Sequence, residues 1–223
     1  MLTVIFGAGA SYDSDPSNQP ARTKDLNRPP LANELFDDRP QFRAELAKRH
    51  LGAGVAIEQV LEQLHDEAES PVNPDRERVT QLAAVRFYLQ AVIDRCSTAW
   101  ERGTNGVTNY ATLLDDIRHF GNRAPTLVTF NYDLLLEGAL RRLTGWAPEH
   151  IGQYIEGGPV TLLKVHGSVD WGRVVLSCQA TALDDPGQIA AALIQHAATL
   201  EITEQYRVVR TQAPIVRDGE QIL

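Results

Sequence analysis

The sequence has few cysteines and no long apolar run. Only Cys96 and Cys178 occur among the 223 residues, which is too few for a four-thiolate zinc site. Each lies in a predicted helix or strand, as is typical of a small buried apolar residue, and unpaired thiols favour a reducing compartment. No stretch reaches the roughly 18 apolar residues of a membrane span, and Met1 leads straight into a short strand without an export signal. We therefore expect a cytoplasmic protein without a membrane segment.

Positive charge is also scarce. Lys and Arg number 21 against 29 Asp and Glu, which gives a net charge of −8. Nucleic-acid grooves need clustered Lys and Arg, so no direct nucleic-acid contact is expected, although a local basic pocket is compatible with this balance. The length and the 43% hydrophobic content favour a single folded domain over residues 1–223.

A buried strand is predicted in the segment TLVTFNYD, Thr126 to Asp133. Its first four residues are apolar or β-branched, which predicts a strand covered on both faces, and a Leu-rich helical pattern follows it. Open α/β sheets bind ligands at the carboxyl ends of their strands, so Asn131 and Asp133 are candidate ligand contacts. Tyr132 is expected to pack under the following helix.

A glycine-rich turn follows the first predicted strand. The strand is LTVIF, Leu2 to Phe6, and the turn is Gly7, Ala8, Gly9, Ala10 and Ser11. Such a turn lets backbone N–H groups approach a diphosphate at a helix N-terminus. The third glycine of the dinucleotide fingerprint is replaced by Tyr12, and a turn without any ligand remains the alternative.

Helical patterns fill most of the chain between the first two strands. Residues 13–30 are rich in turn formers and predict a long loop. After it, predicted helices run over Leu31 to Phe36, Ala56 to Ala68, Arg76 to Trp100 and a stripe from Tyr110 to Phe120. This is too much helix for one crossover, so we expect an α/β fold with a Rossmann-like, mostly parallel sheet and a helical subdomain inserted at about 31–122.

A third strand, Thr161 to Val165, delivers His166, Gly167 and Ser168 toward the sheet edge that carries Asn131. The alternative is that His166 has no functional role and only forms hydrogen bonds with the neighbouring backbone. Further elements are predicted after it: a strand over Arg173 to Cys178 that could form the return arm of a hairpin, a helix from Asp185 to Leu200, and one or two short strands between Tyr206 and Leu223.

Three motifs together resemble the sirtuin-like domains of bacterial antiphage defence proteins. They are GAGAS at Gly7 to Ser11, TFNYD at Thr129 to Asp133 and KVHGSVDWG at Lys164 to Gly172, and the helix IEQVLEQL at Ile57 to Leu64 is similar to the helical insert of that family. The resemblance spans residue 1 to about 215. It implies NAD+ as substrate, a Rossmann-like fold, and attack at the bond between nicotinamide and ribose.

The resemblance also assigns roles to individual residues. Asn131 would hold a ribose hydroxyl or the attacking water, and His166 would accept a proton; these are the expected catalytic residues. The expected cofactor-binding residues are Gly7, Ala8, Gly9, Ala10, Ser11, Asp133, Gly167 and Ser168, with Asp133 contacting the carboxamide or setting the loop. No metal is expected.

Two departures from the family qualify this reading. The chain lacks the four-cysteine zinc ribbon of sirtuin deacylases, which favours NAD+ hydrolysis over peptide deacylation. No Gly-Tyr-Ser type strand end follows Val209, so either the remaining strands lie outside this chain or a partner completes the adenosine side. We expect an NAD-depleting antiphage effector that works as a homo-oligomer or with a partner protein. A non-catalytic NAD or nucleotide sensor is the alternative, and a dehydrogenase is disfavoured.

Overall fold

A computed structural model describes residues 2–16, 27–31, 57–68, 76–120, 124–176, 186–209, 215–217 and 220–222. The chain divides into two compact units. The first unit contains Met1–Leu31, Val92–Trp171 and Arg207–Val209, and the second contains Ala32–Ala91, Gly172–Tyr206 and Arg210–Leu223. A single domain over residues 1–223 remains a prediction.

The first unit is built on a parallel sheet of three short strands. Strands β1 (Thr3–Phe6), β2 (Thr126–Thr129) and β3 (Thr161–Lys164) lie in the order β1-β2-β3. Both strand pairs are parallel, so the carboxyl ends of all three strands meet at one edge. The predicted strands are confirmed, and the chain combines helices with a parallel sheet as an α/β fold does. The Rossmann-like sheet and the inserted subdomain remain predictions.

One face of this sheet carries the core of the first unit. Phe6, Leu127 and Leu162 are buried there, together with side chains of three neighbouring helices. On the other face, Ile5 is 67% exposed and Leu163 is 38% exposed, and Val128 lies between them in register. The prediction that β2 lies in a sheet covered on both faces is therefore wrong, because burial alternates along the strands.

Helices flank the strands in sequence, the first of them within the predicted turn Gly7 to Ser11 and the others at the predicted places. They are α1 (Ala8–Tyr12), α2 (Ile57–Ala68), α3 (Arg76–Gly103), α4 (Asn109–Phe120) and α5 (Leu135–Thr144). Helices α4 and α5 pack against each other and supply much of the buried core. Gly145 caps the carboxyl end of α5, and its N–H bonds to Arg141 O at 2.8 Å. Its φ of 74° is left-handed, a conformation that favours glycine.

A second sheet has four strands in the order β5-β4-β7-β6. They are β4 (Trp171–Val175), β5 (Ile202–Val208), β6 (Ile215–Arg217) and β7 (Glu220–Ile222), and β7 is antiparallel to both β4 and β6. Helix α6 (Pro186–His196) begins at the predicted proline. The suggested hairpin between β3 and β4 is wrong, since the two strands belong to different sheets.

Some sequence predictions fall outside the described residues. They include residues 32–36 of the helix predicted from Leu31 to Phe36, the N-cap at Asp185 and the strand residue Cys178. Cys96 is buried as predicted. In the part of the chain that the structure describes, no helix is both long enough and apolar enough to cross a bilayer.

Candidate functional site

The segment after β2 divides its side chains between two sides. Burial keeps alternating beyond the strand end: Asn131 and Asp133 are 8% and 7% exposed, whereas Phe130 and Tyr132 are 43% and 37% exposed. A period of two is the geometry of extended backbone, and here it turns polar groups inward and aromatic groups outward. Buried polar and exposed aromatic residues are the informative exceptions to ordinary burial, so the segment is a candidate site.

The inward side chains form a closed hydrogen-bond network with the glycine-rich turn. Ser11 Oγ donates to Asp133 Oδ2 at 2.6 Å. A hydroxyl has one proton to give, so Ser11 must accept from its other partners, Asn131 Nδ2 at 2.8 Å and Tyr110 OH at 2.8 Å. Asn131 Nδ2 also reaches Gly7 O at 2.9 Å. The carboxylate thus fixes the direction of every hydrogen bond around Ser11.

Asp133 organises the start of α5 as well as the turn. Its Oδ1 accepts the N–H of Leu135 at 3.0 Å, and its backbone carbonyl accepts Lys164 Nζ at 2.6 Å. Both carboxylate oxygens therefore bond to the chain itself. Of the two roles that the resemblance offered for Asp133, this geometry fits the setting of the loop.

Tyr110 was missing from the sequence-based site. It lies on α4, and its ring packs edge-on against Phe6 with 5.3 Å between centroids. Burial raises the pKa of Tyr110, and the nearby Asp133 carboxylate raises it further. Tyr110 therefore stays protonated and can donate to Ser11. In the sequence it looks like any member of the apolar stripe of α4, so no local signal could have marked it.

A buried ion pair joins the end of β3 to helix α5. Lys164 Nζ lies 2.7 Å from Glu137 Oε1, with side-chain exposures of 0% and 9%. Burial raises the pKa of Glu137 while Lys164 acts to lower it. Glu137 Oε2 is buried and has no hydrogen-bond partner among the described residues. A lysine within the apolar run TLLKV and a glutamate within LLLEGAL were the sequence signals for this pair.

His166 lies on the outward side, between the two exposed aromatic residues. Its ring centroid is 5.4 Å from Phe130 and 6.0 Å from Tyr132, and the Tyr132 ring is nearly parallel to it at 24°. Tyr132 was predicted to pack under α5, and that prediction is wrong because the alternation after β2 turns it outward. The described contacts include no hydrogen bond or ring contact between His166 and Asn131.

Gly167 and Ser168 continue the turn after His166. Gly167 has a φ of 88°, a left-handed conformation that favours glycine, and its N–H bonds to Lys164 O at 3.2 Å. The side-chain oxygen of Ser168 is buried without a hydrogen-bond partner among the described residues. Gly167 therefore has a conformational reason to be glycine whether or not it contacts a ligand.

The glycine-rich segment Gly7 to Ser11, which forms the N-cap and first residues of α1, is open on its outer side. A Cβ built on Gly7 or on Gly9 would meet nothing within 4 Å, and neither residue has a positive φ. The surrounding chain therefore does not require glycine at these positions. The first N–H groups of a helix lack intrahelical partners, and Gly7 caps α1 without a side-chain hydrogen bond. Close approach of a ligand to this backbone is sterically allowed.

Two other kinds of candidate site are a cavity and a group of metal ligands. A cavity of about 280 Å³ lies at the opposite, amino-terminal edge of the sheet, lined by Pro125 and Pro159 beside Leu114 and Leu140. No group of three or more His, Cys, Asp or Glu side chains suited to a metal ion occurs among the residues that the structure describes.

No protein-family model matches this sequence, and no curated protein matches it significantly. The resemblance to sirtuin-like domains therefore depends on the three motifs and on the helix at Ile57 to Leu64.

Proposed function

We propose that this protein is an NAD+ hydrolase that cleaves the bond between nicotinamide and ribose and depletes NAD+ during phage infection. The observation that supports it is the convergence of three motifs at one sheet edge: the open turn Gly7 to Ser11 after β1, Asn131 and Asp133 after β2, and His166 after β3. Carboxyl ends of parallel strands are the usual ligand edge of α/β sheets.

In this proposal the start of α1, at residues 7–11, binds the diphosphate. Backbone N–H groups at a helix start favour an anion, and the absence of a Cβ at Gly7 and Gly9 leaves room for it. The amide nitrogen of Asn131 donates to Gly7 O, Ser11 Oγ and Tyr110 OH, which holds the start of α1 in place. Its amide oxygen has no partner among the described residues, so this is the atom that would orient a ribose hydroxyl or the water.

The reaction itself needs little acid catalysis. Water adds its oxygen to the anomeric carbon of the ribose, the C–N bond electrons leave with neutral nicotinamide, and the sugar passes through an oxocarbenium-like state. His166 would accept the proton that the water loses. The products are ADP-ribose, nicotinamide and a proton. His166 is exposed, so a base at this position can exchange its proton with solvent.

The test is nicotinamide release from NAD+ by the purified chain and by Asn131→Ala and His166→Ala. Loss of a general base lowers the rate by roughly a hundredfold or more, so we expect that loss in His166→Ala. His119→Ala is the matched control, because His119 is an exposed histidine on α4. Undiminished release in both site variants would overturn the catalytic assignment.

Depletion of NAD+ as the biological effect has its own test. NAD+ should fall in phage-infected cells that carry the unchanged protein and should stay constant in cells that carry His166→Ala. Equal NAD+ levels in the two strains would contradict the effector role without touching the chemistry.

A non-catalytic NAD or nucleotide sensor is the second candidate. It is favoured by one observation: Ser11 and the nitrogen of Asn131 are hydrogen-bonded to each other and to Tyr110, and no hydrogen bond or ring contact within the described part of the chain joins them to His166. Calorimetric binding of NAD+ without any nicotinamide release would select this candidate. Hydride transfer to a small substrate, seen as absorbance of reduced NAD, would instead select a dehydrogenase.

A further inference from the structure

Arg28 is a buried cation of the first unit. The residue is 3% exposed, and its Nε, Nη1 and Nη2 atoms have no hydrogen-bond partner among the described residues. A guanidinium carries five N–H donors and stays charged at any physiological pH. Leaving charged donors buried and unpaired is costly, so folded proteins rarely do it. The arrangement calls for an acceptor.

The guanidinium of Arg28 lies over two aromatic rings. The central carbon lies 4.2 Å from the ring centroid of Tyr12 and 5.4 Å from that of Trp100. The face of an aromatic ring attracts a cation but accepts no strong hydrogen bond. The three guanidinium nitrogens therefore still lack an oxygen acceptor among the described residues.

Asp13 is the carboxylate nearest to this guanidinium among the described residues. Its Oδ1 lies 3.8 Å from Nη2, beyond hydrogen-bond distance, and its side chain is 58% exposed. An exposed carboxylate at this distance compensates the charge only weakly. The negative charge of Asp13 also repels any anion that approaches Nη2 of Arg28.

We propose that Arg28 binds an oxyanion, either a phosphoryl or a carboxylate group of a small-molecule ligand. The planar fork of a guanidinium matches two oxygens of such a group, which gives short, charge-assisted hydrogen bonds. Tyr12 and Trp100 hold the fork in place. This proposal does not depend on NAD+ cleavage.

The Arg28 site is joined to the network at Ser11 through one side chain. Trp100 Nε1 donates to Ser14 Oγ at 2.8 Å, and Ser14 Oγ donates to Ser11 O at 2.8 Å. Ser14 is fully buried. An anion bound at Arg28 would therefore lie against residues whose positions also set the turn at residues 7–11.

The test is binding of inorganic pyrophosphate, phosphate and malonate to the full chain at constant ionic strength, followed by calorimetry and by melting temperature. We expect an anion to raise the melting temperature of the unchanged protein. Arg28→Met keeps much of the side-chain length and removes the charge, so the affinity should fall by roughly tenfold or more. Arg95→Met removes an exposed positive charge from α3 and should retain the full response.

Two further variants keep the test decisive if Arg28→Met does not fold. Arg28→Lys retains the charge without the fork and should bind more weakly than the unchanged protein, whereas Asp13→Asn removes the opposing carboxylate and should bind more tightly. A response to pyrophosphate and phosphate alone identifies a phosphoryl ligand, and a response to malonate alone identifies a carboxylate. The proposal is overturned if the unchanged protein responds to none of the three anions. It is also overturned if the response persists undiminished in Arg28→Met, or if Arg28→Lys and Asp13→Asn both bind as the unchanged protein does.

Discussion

Ser11 and Asp133 are joined by a hydrogen bond of 2.6 Å across 122 positions of sequence. The bond ties the turn after β1 to the turn after β2. Because the carboxylate accepts the only proton of Ser11, Tyr110 and Asn131 are both oriented as donors toward the serine oxygen. The position of the glycine-rich turn therefore depends on the charge of Asp133.

Asp133→Asn should destabilise the protein. The substitution keeps the size of the side chain but replaces one of the two acceptor oxygens by an NH2 group. That group faces either Ser11 Oγ or the N–H of Leu135, so one of the two hydrogen bonds is lost. Hydrogen bonds to a charged group contribute about 1.5–3 kcal/mol, so we expect a loss of that order in the free energy of unfolding. Urea titration at pH 7 measures it.

Asp116→Asn is the control for that experiment. Asp116 is an exposed residue of α4, and substitutions at such positions usually change stability by less than about 0.5 kcal/mol. Equal effects of the two substitutions would show that the carboxylate of Asp133 does not organise the turn.

The elements of the first unit were predictable from sequence because their signals are local. The apolar runs before Gly7 and Asn131 mark β1 and β2, and the spacing of the Leu residues after Asp133 marks α5. The partners of those elements were not predictable. Tyr110 reaches Ser11 from 99 positions away, and nothing in its own neighbourhood distinguishes it from a core tyrosine. Such contacts follow from tertiary packing, which local patterns do not encode.

The directions in which the motif side chains point differ from the prediction for another reason. Asn131 and His166 follow strands of the same sheet, which predicts that they lie together. The alternation of buried and exposed side chains, however, continues beyond the end of β2 as far as Asp133. Applied that far, the period of two turns Asn131 inward and Tyr132 outward.

Lys164→Met should destabilise the protein by about 3–5 kcal/mol at neutral pH, because it leaves the buried Glu137 without its partner. The pKa of Glu137 is already raised by burial, and removing Lys164 raises it further. A raised carboxyl pKa gives stability that is present at acid pH and lost as the pH rises through the folded-state pKa. The penalty of Lys164→Met should therefore grow from pH 4 to pH 7.

The double substitution Lys164→Met and Glu137→Leu is the matched comparison. It removes both charges from the core, so its stability should lie closer to that of the unchanged protein and should lack the added pH dependence. Denaturant titrations at several pH values measure both variants. A double variant as unstable as the sum of the single substitutions would show that the pair is not coupled.

Tyr154, like Tyr110, is a buried tyrosine in the core of the first unit. Tyr110→Phe and Tyr154→Phe should each reduce the loss of stability above pH 10. Burial raises the pKa of both tyrosines, and neighbouring carboxylates raise it further. A pKa raised in the folded state gives stability that is present below the unfolded pKa near 10 and lost as the pH rises beyond it. From pH 10 to 11 each tyrosine should cost about 1 kcal/mol that its phenylalanine variant does not lose.

Urea titrations from pH 7 to 11 test this prediction and contain their own control. Between pH 7 and 9 neither tyrosine titrates, so the difference between each variant and the unchanged protein should stay constant there. A difference that remains constant up to pH 11 would mean that these hydroxyls ionise as easily in the folded protein as in the unfolded chain.

Tyr132 should hold the imidazole of His166 in place. The two rings are nearly parallel, with centroids 6.0 Å apart and an interplanar angle of 24°, and aromatic pairs of this geometry contribute about 0.5–1.5 kcal/mol. Stacked protons are shielded by the ring current of the partner. In Tyr132→Ala the ring-proton signals of His166 should therefore move downfield in the NMR spectrum, while Tyr132→Phe should keep them in place.

The His166 signals can be assigned by their loss in His166→Ala, and those of the exposed His119 serve as the internal control. Under the proposed reaction, Tyr132→Ala should release nicotinamide roughly ten- to a hundredfold more slowly, because His166 is no longer held in position. Tyr132→Phe should recover the rate. A shifted signal without any change in rate would confirm the stacking and show that Tyr132 does not position His166 for the reaction. An unshifted signal would show that the stacking does not persist in solution, because no other source of shielding distinguishes the alanine from the phenylalanine variant.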